Sequence, residues 1–480
     1  MSDPKTKHQF RGLAAVFSVI SAGLALLVVL LVLLSKLDES NEGAAGYVPL
    51  AYVAFAILFA VFAVSFFVQR ADIRFGRGFP WLVGFTSFFV SFIPWWGLSG
   101  GNPDLGTLIY RGLKVPQGII QFWDLSLVMQ SVDCARWGFD IYQENNGCLQ
   151  DPSIYAPGMV WLQYVPFEIF SQANVAVLGV GMMVVSSLVL FWLARTSVGL
   201  GQIVLLFAAV GAPWLLLLER GNIDAVVLWV GALVALVVRR WGKSGSVLWP
   251  WILAAAAIWV VGTWKYYPFA LGIMLIPLLW IRRGWIVLGG FAVASGGYLI
   301  ATWENFQFSA ASNSNMIEFG DYVVLGREPV VARMAGSGNF WFFALALAAL
   351  GSGYFVTRTL NRKSSVPFAM LAAGGGAVYL SSVLVAGFGY GYKAAFLLLA
   401  VPLVSALLAG HSRIVLASSL AVTLLIGIQS IVVWNTVLAT LSGVTAASFA
   451  VGAGLGIMFH TRLVRQLPEG QKTTVVRTNV

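Results

Sequence analysis

Residues 174–194 read NVAVLGVGMMVVSSLVLFWLA, and none of these side chains is charged. A helix needs about 20 apolar residues to cross the hydrocarbon core of a bilayer, so this stretch is predicted to be a membrane span. Similar apolar runs predict about fourteen spans along the chain. They lie at residues 12–35, 47–69, 80–97, 174–194, 201–218, 223–238, 247–264, 267–281, 285–303, 339–356, 366–387, 394–410, 414–434 and 438–459. The expected fold is all-α, a polytopic transmembrane helical bundle that forms a single integral membrane domain over residues 1–480.

The composition of the 480 residues supports this prediction. Hydrophobic residues make up 59% of the chain and charged residues only 10%, whereas a soluble domain carries about 25% charged residues. The mean hydropathy is +0.85. These values exclude a cytosolic enzyme, a disordered scaffold and a coiled coil. The net charge of +10 is interpreted as a signal of membrane orientation and not of nucleic-acid binding.

Lysine and arginine set the predicted orientation, because both are enriched in the cytoplasmic loops of membrane proteins. If the N-terminus is cytoplasmic, most of the 29 basic residues fall in short loops on that side. Most of the 19 acidic residues then fall on the external side. An even number of spans returns the basic C-terminal tail to the cytoplasm, so we predict that both termini are cytoplasmic.

Two predicted external segments are much longer than the others, residues 98–173 and residues 304–338. Ordered long loops are commonly functional, and the first one is rich in aromatic residues and proline. Within it, residues 155–171 are apolar but contain two prolines and a glutamate, which favours a re-entrant or interfacial helical piece. No ionisable residue falls near the middle of a predicted span, so chemistry is expected at the external face.

Three carboxylates of the first long loop are candidates for a general base, and they are Asp124, Asp133 and Asp140. A carboxyl group in an aromatic setting holds its proton more tightly and can accept one from a hydroxyl. Helix capping, or pairing with Arg136, would equally account for any one of the three. The sequence leaves the choice among them open.

Both cysteines of the chain, Cys134 and Cys148, also lie in the first long loop, on a side where oxidation is favoured. We expect a disulfide here rather than two free thiols, and it would close a loop of about 15 residues. The three histidines are all expected on the cytoplasmic side. Neither a histidine base nor a metal site is therefore predicted outside.

Three short external turns each carry one cation beside aromatic or polar residues. They are residues 219–224 (ERGNID) with Arg220, residues 264–268 (WKYYP) with Lys265, and residues 389–393 (GYGYK) with Lys393. Cations at the membrane border can hold a phosphate whose lipid tail lies in the bilayer. Ordinary snorkelling and aromatic anchoring are the alternative interpretation.

The order and common predicted side of these motifs resemble the polytopic glycosyltransferases of the C superfamily. The pattern is closest to the bacterial polyprenyl-phosphate-sugar branch, which includes mycobacterial mannosyl- and arabinofuranosyltransferases. The resemblance covers about residues 120–400, from Asp124 through Tyr155-Ala156-Pro157 to the three turns. It departs from the family pattern in two places. Two further predicted spans precede the catalytic loop, and Gly391-Tyr392-Lys393 stands where an Asp-Tyr-Arg-like turn is expected.

The resemblance implies transfer of a single sugar from a polyprenyl-phosphate-sugar donor to a glycan or glycolipid acceptor. The site would lie at the external (periplasmic) face of the bacterial cytoplasmic (inner) membrane. Asp124 would act as the general base in an inverting reaction that needs neither a metal nor another cofactor. The expected ligands of the donor phosphate are Arg220, Lys265, Lys393 and Arg333. The expected substrate-binding residues are Asp133, Asp140, Tyr142, Tyr155, Asn222, Asp224, Tyr266 and Tyr392.

Two other functions stay open from the sequence, a transporter or flippase of lipid-linked saccharides and an O-antigen-type glycan polymerase. The lack of charges near the centres of the predicted spans counts against a transporter. Arg327 and Arg333 in the second long loop would fit a polymerase. The sugar, the acceptor, the linkage and the oligomeric state do not follow from the sequence.

Overall fold

The computed structural model describes residues 75–101, 103–112, 121–143, 147–149, 153, 155–166, 169–241, 248–314, 324–325, 338–358, 366–384, 389–408 and 436–466. Most of them lie in helices, so the predicted all-α class is confirmed. Two strands of two residues each, β1 (Val324–Leu325) and β2 (Gly389–Tyr390), form an antiparallel pair with Val324 opposite Tyr390. The predicted spans at 12–35, 47–69 and 414–434 lie outside the described residues.

The α-helices are numbered here in chain order. They are α1 (Phe79–Trp96), α2 (Pro103–Gly112), α3 (Trp123–Arg136), α4 (Val175–Thr196), α5 (Leu200–Ala209), α6 (Ala212–Glu219), α7 (Asp224–Trp241), α8 (Trp249–Lys265), α9 (Gly284–Ala301), α10 (Trp303–Ser314), α11 (Gly338–Arg358), α12 (Val366–Leu384), α13 (Val401–Leu408) and α14 (Thr436–Gln466). A π-helical segment follows α1 at Gly97–Gly101. The 3₁₀-helices are Pro157–Tyr164, Gln172–Asn174, Tyr267–Trp280 and Gly391–Ala400.

Several of these helices are long and apolar enough to cross a membrane, as expected for a membrane protein. Among the described residues there are five such segments, Phe79–Gly100, Gln172–Thr196, Gly284–Ala301, Val366–Val383 and Gly391–Leu408. Shorter apolar helices lie at Tyr267–Trp280, Phe343–Phe355 and Gly443–Phe459. The total of about fourteen predicted spans goes beyond what these helices establish.

The predicted span at 201–218 is divided into α5 and α6, which are bent by 46° at the break. If the pair counts as one broken span, the described part of the chain contains up to six candidate spans. The break has a local cause, because Pro213 is among the first residues of α6. Proline lacks the N–H that would continue the hydrogen bonds of α5, and it favours the first turn of a new helix.

By its internal contacts the chain divides into two compact units. Residues 94–101 and 103–112 belong to one unit, and the other described residues belong to the second. In the first unit, the Ser99 hydroxyl donates to the Trp95 carbonyl oxygen at 2.8 Å. Pro103 begins α2, a position where proline is favoured because the missing N–H would have no acceptor within the helix.

Helix α12 lies among several packed helices of the second unit. It contacts the 3₁₀-helices Tyr267–Trp280 and Gly391–Ala400 as well as α14. Glycine makes the α12–α14 contact close, since a Cβ on Gly376 would collide with the Ala447 carbonyl oxygen. Close approach at small residues is a common basis of helix association in membranes. Both 3₁₀-helices that contact α12 begin in or directly after a predicted cationic turn.

Candidate active site

Helix α3 begins beside the turn that follows α6. The Phe122 N–H donates to the Glu219 carbonyl oxygen at 3.0 Å. The N–H groups of Asp124 and Leu125 both donate to the Arg220 carbonyl oxygen, at 3.0 and 3.3 Å. The first amides of a helix have no acceptor within it, so this turn supplies acceptors that α3 lacks. Phe122 has a left-handed backbone (φ 53°), which redirects the chain as it enters α3.

The turn approaches α3 closely because it contains a glycine. Gly221 has a φ of +59°, a conformation that glycine adopts without a steric penalty. A Cβ at this position would lie 2.9 Å from the Cβ of Leu125. Backbone conformation and close packing therefore both favour glycine between Arg220 and Asn222.

The Asp124 carboxylate stands in the first turn of α3 and is buried, with the residue 8% exposed. Its Oδ1 accepts a hydrogen bond from Arg220 Nε at 3.0 Å. Its Oδ2 accepts a hydrogen bond from Asn222 Nδ2. The bond from Arg220 is charge-assisted, and together the two bonds fix the orientation of the carboxylate.

A second buried carboxylate, Asp224, begins α7 and is 1% exposed. Its Oδ1 accepts from Lys265 Nζ at 2.9 Å and from the Tyr267 hydroxyl. Its Oδ2 accepts from Lys393 Nζ at 2.5 Å. A carboxylate buried alone would cost several kcal/mol, and the two ammonium groups offset this cost. The N-terminus of α7 also favours a negative charge through the helix dipole.

Aromatic rings enclose the two ammonium groups. Lys393 Nζ lies 3.9 Å from the centre of the Tyr267 ring, and Lys265 Nζ lies 5.4 Å from the centre of the Tyr155 ring. An ammonium group has three N–H donors. Hydrogen bonds to described residues thus account for two of the three donors of each lysine.

Asn222 connects the surroundings of the two carboxylates. Besides its bond to Asp124, its Nδ2 donates to the Tyr392 hydroxyl at 2.8 Å. Its Oδ1 accepts from Lys265 Nζ at 2.9 Å. The result is one hydrogen-bonded network, called the polar cluster below. Its members are Asp124, Arg220, Asn222, Asp224, Lys265, Tyr267, Tyr392 and Lys393.

Asp133 lies at the other end of α3 and has contacts typical of a structural residue. Arg136 Nη1 donates to its Oδ1 at 2.9 Å, and the Gln172 N–H donates to its Oδ2 at 2.8 Å. The pairing with Arg136, one of the alternatives that the sequence left open, is thus observed for Asp133. At about 100° per residue, nine residues place Asp133 on the face of α3 opposite to Asp124.

Asp140 is exposed and follows the end of α3. Its Oδ1 accepts from the Tyr142 N–H at 3.0 Å, two residues further on. This is the arrangement of an Asx turn, in which the side chain organises the local backbone. The structure therefore brings neither Asp140 nor Asp133 into the polar cluster by any hydrogen bond that it shows.

Two predicted tyrosines meet in the segment before the 3₁₀-helix Pro157–Tyr164. The Tyr142 hydroxyl donates to the Tyr155 carbonyl oxygen at 3.2 Å. Burial raises the pKa of the Tyr142 hydroxyl well above its usual value of 10.0, so the hydroxyl stays protonated and remains a donor. Tyr155 contributes its ring to Lys265. These two contacts connect the loop after α3 to Lys265 of the polar cluster.

Tyr267, which the sequence did not single out, takes the place expected for Tyr266. The Tyr266 hydroxyl donates to the Thr302 carbonyl oxygen at 3.3 Å, while the Tyr267 hydroxyl donates to Asp224. Tyr266 has a positive φ of 57°, which directs the chain between α8 and the next helix. No pattern in the sequence separated the two tyrosines, because the positive φ at Tyr266 belongs to the folded turn.

Cys134 and Cys148, which the sequence predicts to pair, are joined by a disulfide with 5.9 Å between their Cα atoms. Cys134 is fully buried near the end of α3 and packs in an apolar cluster with Ile141 and Leu149. The bond therefore holds the chain that follows α3 against the last turns of this helix.

Arg333, the fourth expected ligand of the donor phosphate, lies outside the described residues. Among the residues that are described, His, Cys, Asp and Glu do not form a group of three or more arranged to hold a metal ion. The arrangement that the cluster does offer is two buried carboxylates and three cations at the meeting point of three turns, with Arg220 paired to Asp124 and both lysines paired to Asp224. No protein-family model, curated protein or solved structure matches the chain.

Proposed function

We propose that the protein is a glycosyltransferase that moves a single sugar from a polyprenyl-phosphate-sugar donor to a glycan or glycolipid acceptor. The observation that carries this proposal is the polar cluster, which joins Asp124 to cations from three separate turns. An inverting transfer from a phosphate leaving group needs a base for the acceptor hydroxyl and positive charge for the phosphate. The cluster offers both groups.

In the proposed reaction, Asp124 takes the proton of the acceptor hydroxyl while the hydroxyl oxygen attacks the anomeric carbon. The bond between the anomeric carbon and the phosphate oxygen breaks, and its electron pair leaves with the phosphate. Attack from the face opposite the phosphate inverts the anomeric carbon. The phosphate gains a negative charge, which the remaining N–H groups of Lys265 and Lys393 and the nearby Arg220 would stabilise.

The position of the two lysines supports a lipid-linked donor. Lys265 is the last residue of α8. Lys393 is the third residue of Gly391–Leu408, a segment long and apolar enough to cross a membrane. A phosphate at such a border can bind the cations while its polyprenyl tail remains in the bilayer.

We also propose how the chain is oriented in the membrane. It has about fourteen spans, two cytoplasmic termini, and the polar cluster at the external face of the bacterial cytoplasmic membrane. Single introduced cysteines can test the orientation, since both native cysteines are held in the disulfide. A membrane-impermeant maleimide should label Glu304→Cys in intact cells and Arg240→Cys only after permeabilisation. Both native side chains are exposed. The reverse labelling pattern would overturn the orientation.

The activity is tested in membranes that contain the overproduced protein, with radiolabelled polyprenyl-phosphate mannose and polyprenyl-phosphate arabinofuranose as donors. We expect the isosteric change Asp124→Asn to lower transfer by about 100-fold or more, because the base is lost. Glu304→Gln is the matched control, since it makes the same chemical change at an exposed carboxylate. Asp133→Asn and Asp140→Asn test the two other carboxylates that the sequence proposed.

Undiminished transfer by Asp124→Asn would remove Asp124 as the base. Loss of transfer in Asp133→Asn or Asp140→Asn alone would move that role to the affected residue. Vesicles provide the remaining arm of the test. If the wild-type protein consumes no donor while lipid-linked saccharide crosses the vesicle membrane, the protein is a flippase and the proposed enzyme is wrong.

A further inference from the structure

The side chain of Asn222 is buried and every one of its hydrogen-bonding positions is used. The residue is 1% exposed. Its Nδ2 donates to Asp124 and to Tyr392, and its Oδ1 accepts from Lys265 and from the Asp224 N–H, the latter at 2.9 Å. A side-chain amide has two N–H donors and two acceptor lone pairs. The capacity of Asn222 is therefore fully engaged within the protein.

The backbone fixes which end of this amide faces Asp124. The bond from the Asp224 N–H to Asn222 Oδ1 spans two residues and is an Asx turn at the start of α7. A flipped amide would direct Nδ2 at the Asp224 N–H and at the Lys265 ammonium, which are both donors. Only the observed orientation satisfies all four neighbours, so the N–H end of Asn222 is held against Asp124.

We propose that Asn222 is a positioning residue that links the general base to the cations of the phosphate site. One rigid amide holds Asp124 through Nδ2 and Lys265 through Oδ1, and thereby sets the carboxylate and the ammonium group relative to each other. The inference rests on the proposed function and deepens the description of the same site. The sequence predicted Asn222 as a substrate-binding residue, whereas its fully engaged amide favours a role through its neighbours.

The substitution Asn222→Asp separates positioning from an ordinary structural role. A carboxylate at this position retains acceptors for the Asp224 N–H and for Lys265, so the turn and the lysine contact persist. It removes the donor to Asp124 and replaces it with a second negative charge. Like charges at this separation disfavour the ionised form, so Asp124 should bind a proton at higher pH. A purely structural Asx turn would be served equally well by Asp or Asn.

Asp124 has several other charged groups in its surroundings. Arg220 donates to its Oδ1 from the turn after α6. Lys265 at the end of α8 and Lys393 in the 3₁₀-helix Gly391–Ala400 supply the other positive charges of the cluster. The remaining carboxylates are Asp224 at the start of α7 and the buried Glu219 at the end of α6. None of these groups is altered by Asn222→Asp.

A labelling experiment on the full chain in membranes measures protonation of Asp124 directly. A hydrophobic carbodiimide reacts with protonated carboxyl groups, and mass spectrometry of the peptide that contains Asp124 reports the modified fraction at each pH. In Asn222→Asp, we expect the pH of half-maximal labelling to rise by about one unit or more relative to the wild type. Glu304→Gln, which alters an exposed carboxylate outside the cluster, should leave the labelling curve in place.

Labelling curves that coincide for wild type and Asn222→Asp would overturn the proposal. If Asn222→Asp does not accumulate, Asn222→Ser takes its place. The serine hydroxyl can accept from the Asp224 N–H but is too short to replace the donor to Asp124, and a smaller upward shift is expected. The labelling needs no transfer activity. It therefore tests the link between Asn222 and Asp124 even if the proposed glycosyltransferase reaction fails.

In a transfer assay, Asn222→Asp should also change the kinetics. In Asn222→Asp, kcat should fall and the acid limb of the pH profile should move to higher pH. KM for the lipid donor should rise as well, since the new negative charge also lies beside Lys265 of the phosphate site. A rise in KM at constant kcat, with an unmoved pH profile, would instead favour direct binding of substrate by Asn222.

Discussion

The two ends of α3 carry the same kind of side chain in opposite circumstances. At the first turn, Asp124 is bonded to Arg220 and Asn222, which are 96 and 98 residues away in the chain. At the last turn, Asp133 pairs with Arg136, only three residues away. The first carboxylate belongs to a buried network of charges, and the second belongs to a local, partly exposed pair. Loss of a buried charge with distant partners is expected to cost more stability than loss of an exposed one, because water cannot replace the buried partners.

The largest effect is expected from breaking the charge balance of the polar cluster, which contains the first turn of α3 through Asp124. Asp224→Ala leaves Lys265 and Lys393 without their shared carboxylate, and removing one partner of a buried ion pair costs about 3–5 kcal/mol. Thermal unfolding of the purified protein in detergent measures this loss. The double variant Asp224→Ala/Lys393→Met should recover part of the stability, since one uncompensated charge is removed. An Asp224→Ala variant as stable as the wild type would contradict the buried network.

The second largest effect is expected at the other end of α3. Replacing both cysteines with serine removes a covalent link that closes a loop of about 15 residues, and we expect a loss of about 3 kcal/mol of stability. Unfolding of the wild type with and without a reductant provides the matched measurement. The reductant should lower the stability of the wild type toward that of Cys134→Ser/Cys148→Ser and leave the variant unchanged. Equal effects on both proteins would show that the disulfide does not supply the difference.

The third prediction concerns the close contact between α3 and the turn at 219–221. Gly221→Ala places a side chain in a left-handed conformation and brings its Cβ against Leu125. We expect a loss of about 2 kcal/mol, which unfolding in detergent measures. The control is Gly181→Ala on α4, where a Cβ would meet open space. If both variants unfold at the same temperature, the close approach at Gly221 has no energetic weight.

The smallest effect is expected at the local pair. Asp133→Ala removes the bond with Arg136 and the acceptor for the Gln172 N–H, and such losses typically cost about 1 kcal/mol. The comparison that matters is with Asp224→Ala in the same unfolding assay. An Asp133→Ala variant that loses as much stability as Asp224→Ala would erase the distinction between the buried polar cluster and the local pair.

The sequence predicted much of the polar cluster because charge is scarce in this chain. On the predicted external side, cations that orientation does not require stand out, and Arg220, Lys265 and Lys393 all take part in the cluster. Apolar length likewise predicted the helical class. These signals depend on composition and position along the chain, which are visible without any knowledge of packing.

Other features depend on backbone geometry that composition does not encode. The choice of Tyr267 over Tyr266 follows from a single positive φ at Tyr266. The placement of Asp133 away from Asp124 follows from the helical phase of α3, and this helix had not been predicted. The long 3₁₀-helices, such as Tyr267–Trp280, have the same apolar character as the α-helices around them. Hydropathy therefore predicts an apolar segment there but not its pitch.

Helix α3 contacts Arg220 through main-chain atoms, so this contact does not depend on the side chains that the two segments carry. The Arg220 carbonyl oxygen accepts from Asp124 and Leu125 whatever side chains these positions carry. Exchange of the two charges, Asp124→Arg with Arg220→Asp, would keep this scaffold contact while reversing the polarity across it. The main-chain contact is thus independent of side-chain identity, whereas the acceptor that Asn222 Nδ2 finds at position 124 is not, since arginine has no acceptor.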